Sequence, residues 1–200
     1  TVHFAGQIVA GGALGHADAV AYTLVNMIDD GDPMNAVFDA ALGTGHVNAL
    51  ADALHALGDD ATDVIQAMAE HFADQIVAED GLGHADAVAY MLVNSMIAHQ
   101  EAVFDEAFSP QTGIISTQWL AESLSELDNG SAVNQDMAVY LASEIDGGSG
   151  YATAAAEIVE DNYVTNKQAV CDAVPLDQQE AFHDALVVLG VEPCNYDDVI

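Results

Sequence analysis

The chain writes one text twice. Residues His3–Asn26 and His71–Asn94 are offset by 68 positions and differ only at Gly6/Asp74, Gly11/Glu79, Gly12/Asp80, Ala13/Gly81 and Thr23/Met91. A second block, Ala36–Asp39, returns as Ala102–Asp105 and, in diverged form, as Ala169–Asp172, where Cys171 stands in place of Phe38 and Phe104. In a duplication of this period each copy is one supersecondary unit, and stacking of copies buries the apolar faces that a lone copy would expose. The expected architecture is an all-α helical repeat array, about 2.7 copies of a four-helix unit with a period of about 67–69 residues, forming a single domain over residues 1–200. Repeat 1 covers about 11–78 behind a half helix at 1–10, repeat 2 about 79–147, and a truncated repeat 3 about 148–200.

Apolar spacing divides each copy into helices A to D. In the first copy, A is expected over Ala17–Ile28, B over Met34–Leu42, C over His46–Leu57 and D over Thr62–Ala78; Met34, Val37, Phe38, Ala41 and Leu42, for example, make one helical stripe. Asp32-Pro33 is read as the N-cap and first-turn proline of B, and Gly43 and Gly58 as stops. The second copy gives Ala85–Ala98, Glu101–Phe108, Ser116–Leu127 and Ala132–Ile145, and the third Tyr151–Asp161, Gln168–Ala173 and Asp177–Leu189. Period-two alternation persists nowhere, so no strand is expected.

The third copy has no helix D, while His3–Ala10 matches the closing turns of helix D, His71–Ala78. That segment is expected to dock through Phe4, Ile8 and Val9 in a groove of the third copy lined by Val170, Leu186 and Leu189. Docking on its own chain closes a monomer, whereas docking on another molecule, the geometry favoured here, makes a head-to-tail polymer. Cys171 and Cys194 both fall in the third copy and are expected to form a disulfide that ties down this end.

Charge excludes whole classes of partner. Against 33 acidic residues stands a single base, Lys167, for a net charge of −32. Phosphate recognition depends on lysine and arginine, so nucleic acid and anionic membrane surfaces are not expected partners. No apolar run reaches the ~20 residues of a membrane span. Self-repulsion of this size calls for screening by salt or divalent cations. The sequence opens at Thr1 with no basic n-region or apolar h-region, so a secretion signal is expected to be absent or already removed.

Few residues offer chemistry. The nonapeptide LGHADAVAY, at Leu14–Tyr22 and Leu82–Tyr90, places His16 and His84 near a helix start, where two copies facing each other could bind a transition metal or a haem. The alternative is structural, with Asp18 and Asp86 complementing the helix dipole. Asp29, Asp30, Asp32, Asp59 and Asp60 cluster at Gly-containing breaks and are the candidate calcium ligands, without the EF-hand spacing. There is no His-Glu-x-x-His and no Gly-x-Ser-x-Gly, Cys171 takes a core position, and Trp119 reads as packing or an interface anchor. No enzyme is expected.

The stretches FDAALG (Phe38–Gly43), ALADALHALGDDATDVIQAMAEHFAD (Ala49–Asp74) and QWLAESLSELDNGSAVNQDMAVYLAS (Gln118–Ser143) resemble the helical repeat domains, each of about 70 residues, of secreted bacterial surface proteins, including adhesin-like and S-layer-like substrates of type I secretion. The acidic-then-apolar ending Tyr196–Ile200 is similar to the endings of such substrates. The resemblance implies an exported, calcium-exposed protein of the cell surface or matrix. The expected function is an extracellular structural or interaction protein that self-assembles into a filament, surface layer or matrix, with calcium as an assisting ion. The alternative is a secreted haem or metal carrier.

Overall fold

The computed structural model describes residues 13–26, 31–76, 81–95, 97, 99–108, 113–146 and 150–196. Among them lie eleven α-helices and no strand: α1 Ala13–Val25, α2 Gly31–Gly43, α3 Val47–Ala56, α4 Thr62–Asp74, α5 Gly81–Asn94, α6 Gln100–Ala107, α7 Gly113–Ser125, α8 Gly130–Ser143, α9 Tyr151–Glu160, α10 Lys167–Ala173 and α11 Gln179–Val188. Short 3-10 turns at Gly58–Ala61 and Leu176–Gln178 precede α4 and α11. None of these helices is long and apolar enough to cross a membrane.

Each helix forms where apolar residues recur on one face. In α4, Val64, Ile65, Met68, Ala69, Phe72 and Ala73 are buried, a single stripe at helical spacing, and α3 buries Val47, Leu50, Ala51, Ala53 and Leu54. Gly58, at φ +73°, ends the helical path after α3 at a conformation that side chains resist. The buried stripes merge into one core in which Phe38, Phe72, Phe104 and Phe182 are fully enclosed.

Helix A starts four residues earlier than its apolar spacing predicts, at Ala13 and Gly81 instead of Ala17 and Ala85. The first turn of α5 is admitted by Gly81: a Cβ there would lie 1.9 Å from the Ile76 carbonyl oxygen and 2.4 Å from the Trp119 ring. Trp119 is therefore a packing residue of the α5–α7 contact. The early start also moves Asp86 beyond the first turn, so the dipole reading of Asp86 is corrected; its carboxylate accepts a hydrogen bond from Ser123 Oγ of α7 at 2.7 Å. Likewise α2 begins at Gly31, which puts Asp32-Pro33 inside the first turn, where proline's missing N–H costs nothing.

The contacts between helices recur along the chain. α1 packs on α3, α5 on α7 and α9 on α11; α4 packs on α5 and α6, and α8 on α9 and α10; α3 also touches α5, and α7 touches α9. Two glutamines make the same joint twice. The Gln66 amide donates to the His99 carbonyl (3.0 Å) and accepts from the His99 N–H (3.1 Å), and Gln135 does the same to Asn166 (3.1 and 2.8 Å). His99 and Asn166 are the N-cap residues of α6 and α10, so each glutamine ties helix α4 or α8 to the start of the second helix after it.

Candidate functional site

The side chains with chemical potential gather at corners where three helices meet. On α2, Phe38 and Asp39 are adjacent and so point about 100° apart, which sends Phe38 into the core and leaves the Asp39 carboxylate at the edge. The last turn of α4 brings His71 and Phe72 to this place, and the first turns of α5 bring His84. His71 Nε2 lies 2.7 Å from Asp39 Oδ1, and the Gln75 amide lies 3.0 Å from the same nitrogen. The rings form a chain: Phe38 meets Phe72 edge-on at 6.3 Å, and Phe72 meets His84 edge-on at 5.8 Å. An open cleft of about 380 Å³ lies between Asp39, Gln75 and His84.

The second corner has the same plan with different rings. Asp105 takes the place of Asp39, Tyr140 of His71 and Tyr151 of His84. Tyr151 donates its hydroxyl to Asp105 at 3.3 Å and stacks on Phe108 with centroids 3.9 Å apart, while Phe104 faces Tyr140 at 6.0 Å. Burial first, and then the hydrogen bond to Asp105, hold the Tyr140 hydroxyl well above its ordinary pKa; burial and the Asp105 charge do the same for Tyr151. The neighbouring cleft, about 470 Å³ between α6 and α8, has Phe104 and Tyr140 in its wall and the carboxylates Glu101 and Asp136 beside them.

At the third corner a covalent contact replaces the aromatic one. Cys171 and Cys194 stand at disulfide distance, with sulfurs 2.01 Å apart and Cα atoms 5.8 Å apart. Asp172 follows Cys171 as Asp39 follows Phe38, and Tyr196 lies close enough to feel its charge; burial, then Asp172, raises the Tyr196 pKa. Lys167 Nζ donates to the Glu192 carbonyl, and the Val191 N–H bonds to Leu186 O at 2.9 Å. Residues 191–196 are thus held to the end of α11, to the start of α10 and, through the cysteine pair, to its middle. Of the residues expected to line the groove, Val170 and Leu186 are buried and Leu189 is half-buried, while Phe4, Ile8 and Val9 lie outside the described residues.

Among the described residues the sequence-derived ligand candidates do not converge. His84 is buried against Phe72, whereas His16 is exposed on α1. Asp59 and Asp60 are exposed in the 3-10 turn, Asp29 and Asp30 fall outside the described residues, and so does the side chain of Asp32. Among the described residues no group of three or more His, Cys, Asp or Glu side chains is placed to hold a metal ion. Among the described residues, Asp39 and Gln75 are the hydrogen-bond partners of the His71 ring.

Sequence reasoning missed the joints between copies. Besides the glutamine clamps, Tyr90 of α5 donates its hydroxyl to Asp52 of α3 at 2.7 Å, a bond that with burial pushes the Tyr90 pKa up to about 12. The available signal was the shared phase of Gln66 and Gln135, each two residues before a methionine, Met68 and Met137. Compared with known proteins, the chain matches no protein family, no curated protein and no solved structure.

Proposed function

We propose that this chain is an extracellular structural or interaction protein, an array of helical repeats that assembles with copies of itself into a filament, layer or matrix. The observation that carries the reading is the repeated joint: Gln66 on His99 and Gln135 on Asn166 are one bidentate contact used twice, beside the recurring pairing of the first and third helices of each copy. Such joints propagate in one direction, which is the geometry of assemblies that do not close. A disulfide-distance cysteine pair fits an oxidising compartment, and a single lysine with no arginine fits a partner other than nucleic acid or an anionic membrane. The likeness to helical repeats of secreted bacterial surface proteins points the same way. Calcium enters as an assisting counter-ion, because a charge of −32 must be screened before two copies approach.

Negative-stain microscopy of the purified protein, in molar sodium chloride and in millimolar calcium, tests the reading alongside an absorption spectrum. Fibres or lattices are the expected result. Dispersed single particles in both solutions would remove the assembly reading, and a Soret band or stoichiometric metal would replace it with the carrier reading.

A further inference from the structure

The same helix face is covered at one place in the chain and open at another. On α5, His84 and Ala87 are buried and Tyr90 is half-buried with its hydroxyl on Asp52 of α3. The identical residues of α1, His16, Ala19 and Tyr22, are all exposed, Tyr22 by 66%. α5 is covered because α3 and α4 precede it; α1 has no described helix in that place.

The matching half lies at the other end. α11 closes on Leu189-Gly190 as α3 closes on Leu57-Gly58, with the glycines at φ +75° and +73°, and this register sets Asp184 at the position of Asp52. Leu186 and Leu54, equivalent in the same register, are both fully buried, so the two helices present the same face to their own copy. The outward edge of α11 carries Asp184, Val187 and Val188, one stripe at i, i+3 and i+4. Val188 is 84% exposed and Val187 52%, at positions where α3 has His55 and Ala56 and α7 has Ser125 and Glu126. Two exposed valines make this edge of α11 more apolar than the same edge of α3 or α7. His183 replaces the small Ala51, which confines the seat to the Asp184–Val188 edge.

We infer that the outward faces of α1 and α11 are the two halves of one interface, occupied by a second copy of this chain: Tyr22 of one molecule donates to Asp184 of the next, as Tyr90 donates to Asp52, with its ring on Val187 and Val188. The inference rests on the self-assembly reading and gives it a surface. The contact is heterologous, so it leaves a free half at each end and extends indefinitely.

Sedimentation velocity over a hundredfold range of concentration in molar sodium chloride tests it with Tyr22→Glu and Val188→Glu, both at exposed positions, and circular dichroism as the check of folding. The wild-type mass is expected to climb with concentration, and each variant alone to stay monomeric. Mixed in equal amounts, the variants are expected to form dimers and stop there, because each keeps one intact half. Tyr22→Phe, which removes only the hydroxyl, is expected to raise the concentration needed for assembly about tenfold. Variants that polymerise like the wild type would overturn this interface while leaving self-assembly in force through another surface. A mixture that stays monomeric would overturn the head-to-tail pairing, and a wild type that never assembles would overturn both this inference and the reading beneath it.

Discussion

Helices α1 and α5 contain the same nine residues, Leu14–Tyr22 and Leu82–Tyr90, in two surroundings. Both are helical and both bury the same inner face, Ala17, Val20 and Ala21 in α1 and Ala85, Val88 and Ala89 in α5. Burial differs: Ala87 is enclosed and Ala19 exposed, Tyr90 is bonded to Asp52 and Tyr22 stands in solvent. The pair shows what neighbours on the outward face add to one and the same helix, with composition held constant.

The sharpest way to break the comparison is a charge. Ala87→Glu places a carboxylate where no partner waits and is expected to cost about 3–5 kcal/mol, whereas Ala19→Glu on the exposed face is expected to change stability by no more than about 0.5 kcal/mol. Urea unfolding of the two variants under monomeric conditions measures both. Equal losses would mean that α1 is covered as α5 is.

The next effect contrasts a covalent corner with the aromatic ones. Reducing the Cys171–Cys194 bridge, which spans a sequence separation of 23, frees residues 191–196 and is expected to lower stability by about 3 kcal/mol. Thermal melts with and without reductant read the change, and thiol titration before reduction should find no free cysteine; an unchanged melt would show that the tail contributes nothing to this end.

Much of this was legible in the sequence, and the misses have physical causes. The helices, their order and the cysteine pairing follow from apolar spacing, from the duplicated blocks and from Cys171 standing in a phenylalanine position. The early start of α5 was not visible, because Gly81 reads as a breaker until the Ile76 carbonyl is seen to occupy the space of its Cβ. The burial of His84 beside Phe72 was not visible either, because Phe72 lies twelve positions earlier and on another helix. The corner partners Asp39 and His71, and Asp105 with Tyr151, lie 32 and 46 positions apart, a separation at which no periodicity carries information.

A smaller effect isolates one hydroxyl. Tyr90→Phe is expected to cost about 1 kcal/mol through the lost bond to Asp52, and Tyr22→Phe nothing measurable in the monomer. The same bond sets an alkaline dependence. Because the folded-state pKa of Tyr90 is raised to about 12 from an ordinary value of 10.0, its contribution is complete below pH 10 and is lost as pH climbs from there toward 12. Unfolding curves taken at pH 9 and pH 11 should show this loss, with a smaller loss in Tyr90→Phe; identical losses in the two proteins would assign the effect to other tyrosines.

Amide hydrogen exchange on the two nonapeptides tests the central claim most directly. Their sequences are identical from Leu14 to Tyr22 and from Leu82 to Tyr90, so the interior amides share their intrinsic exchange rates and any difference reports surroundings alone. In dilute, monomeric protein the α5 peptide is expected to exchange at least ~10-fold more slowly than the α1 peptide, and the gap should narrow when the protein is concentrated into assemblies that cover α1. Equal exchange in the monomer would contradict the account.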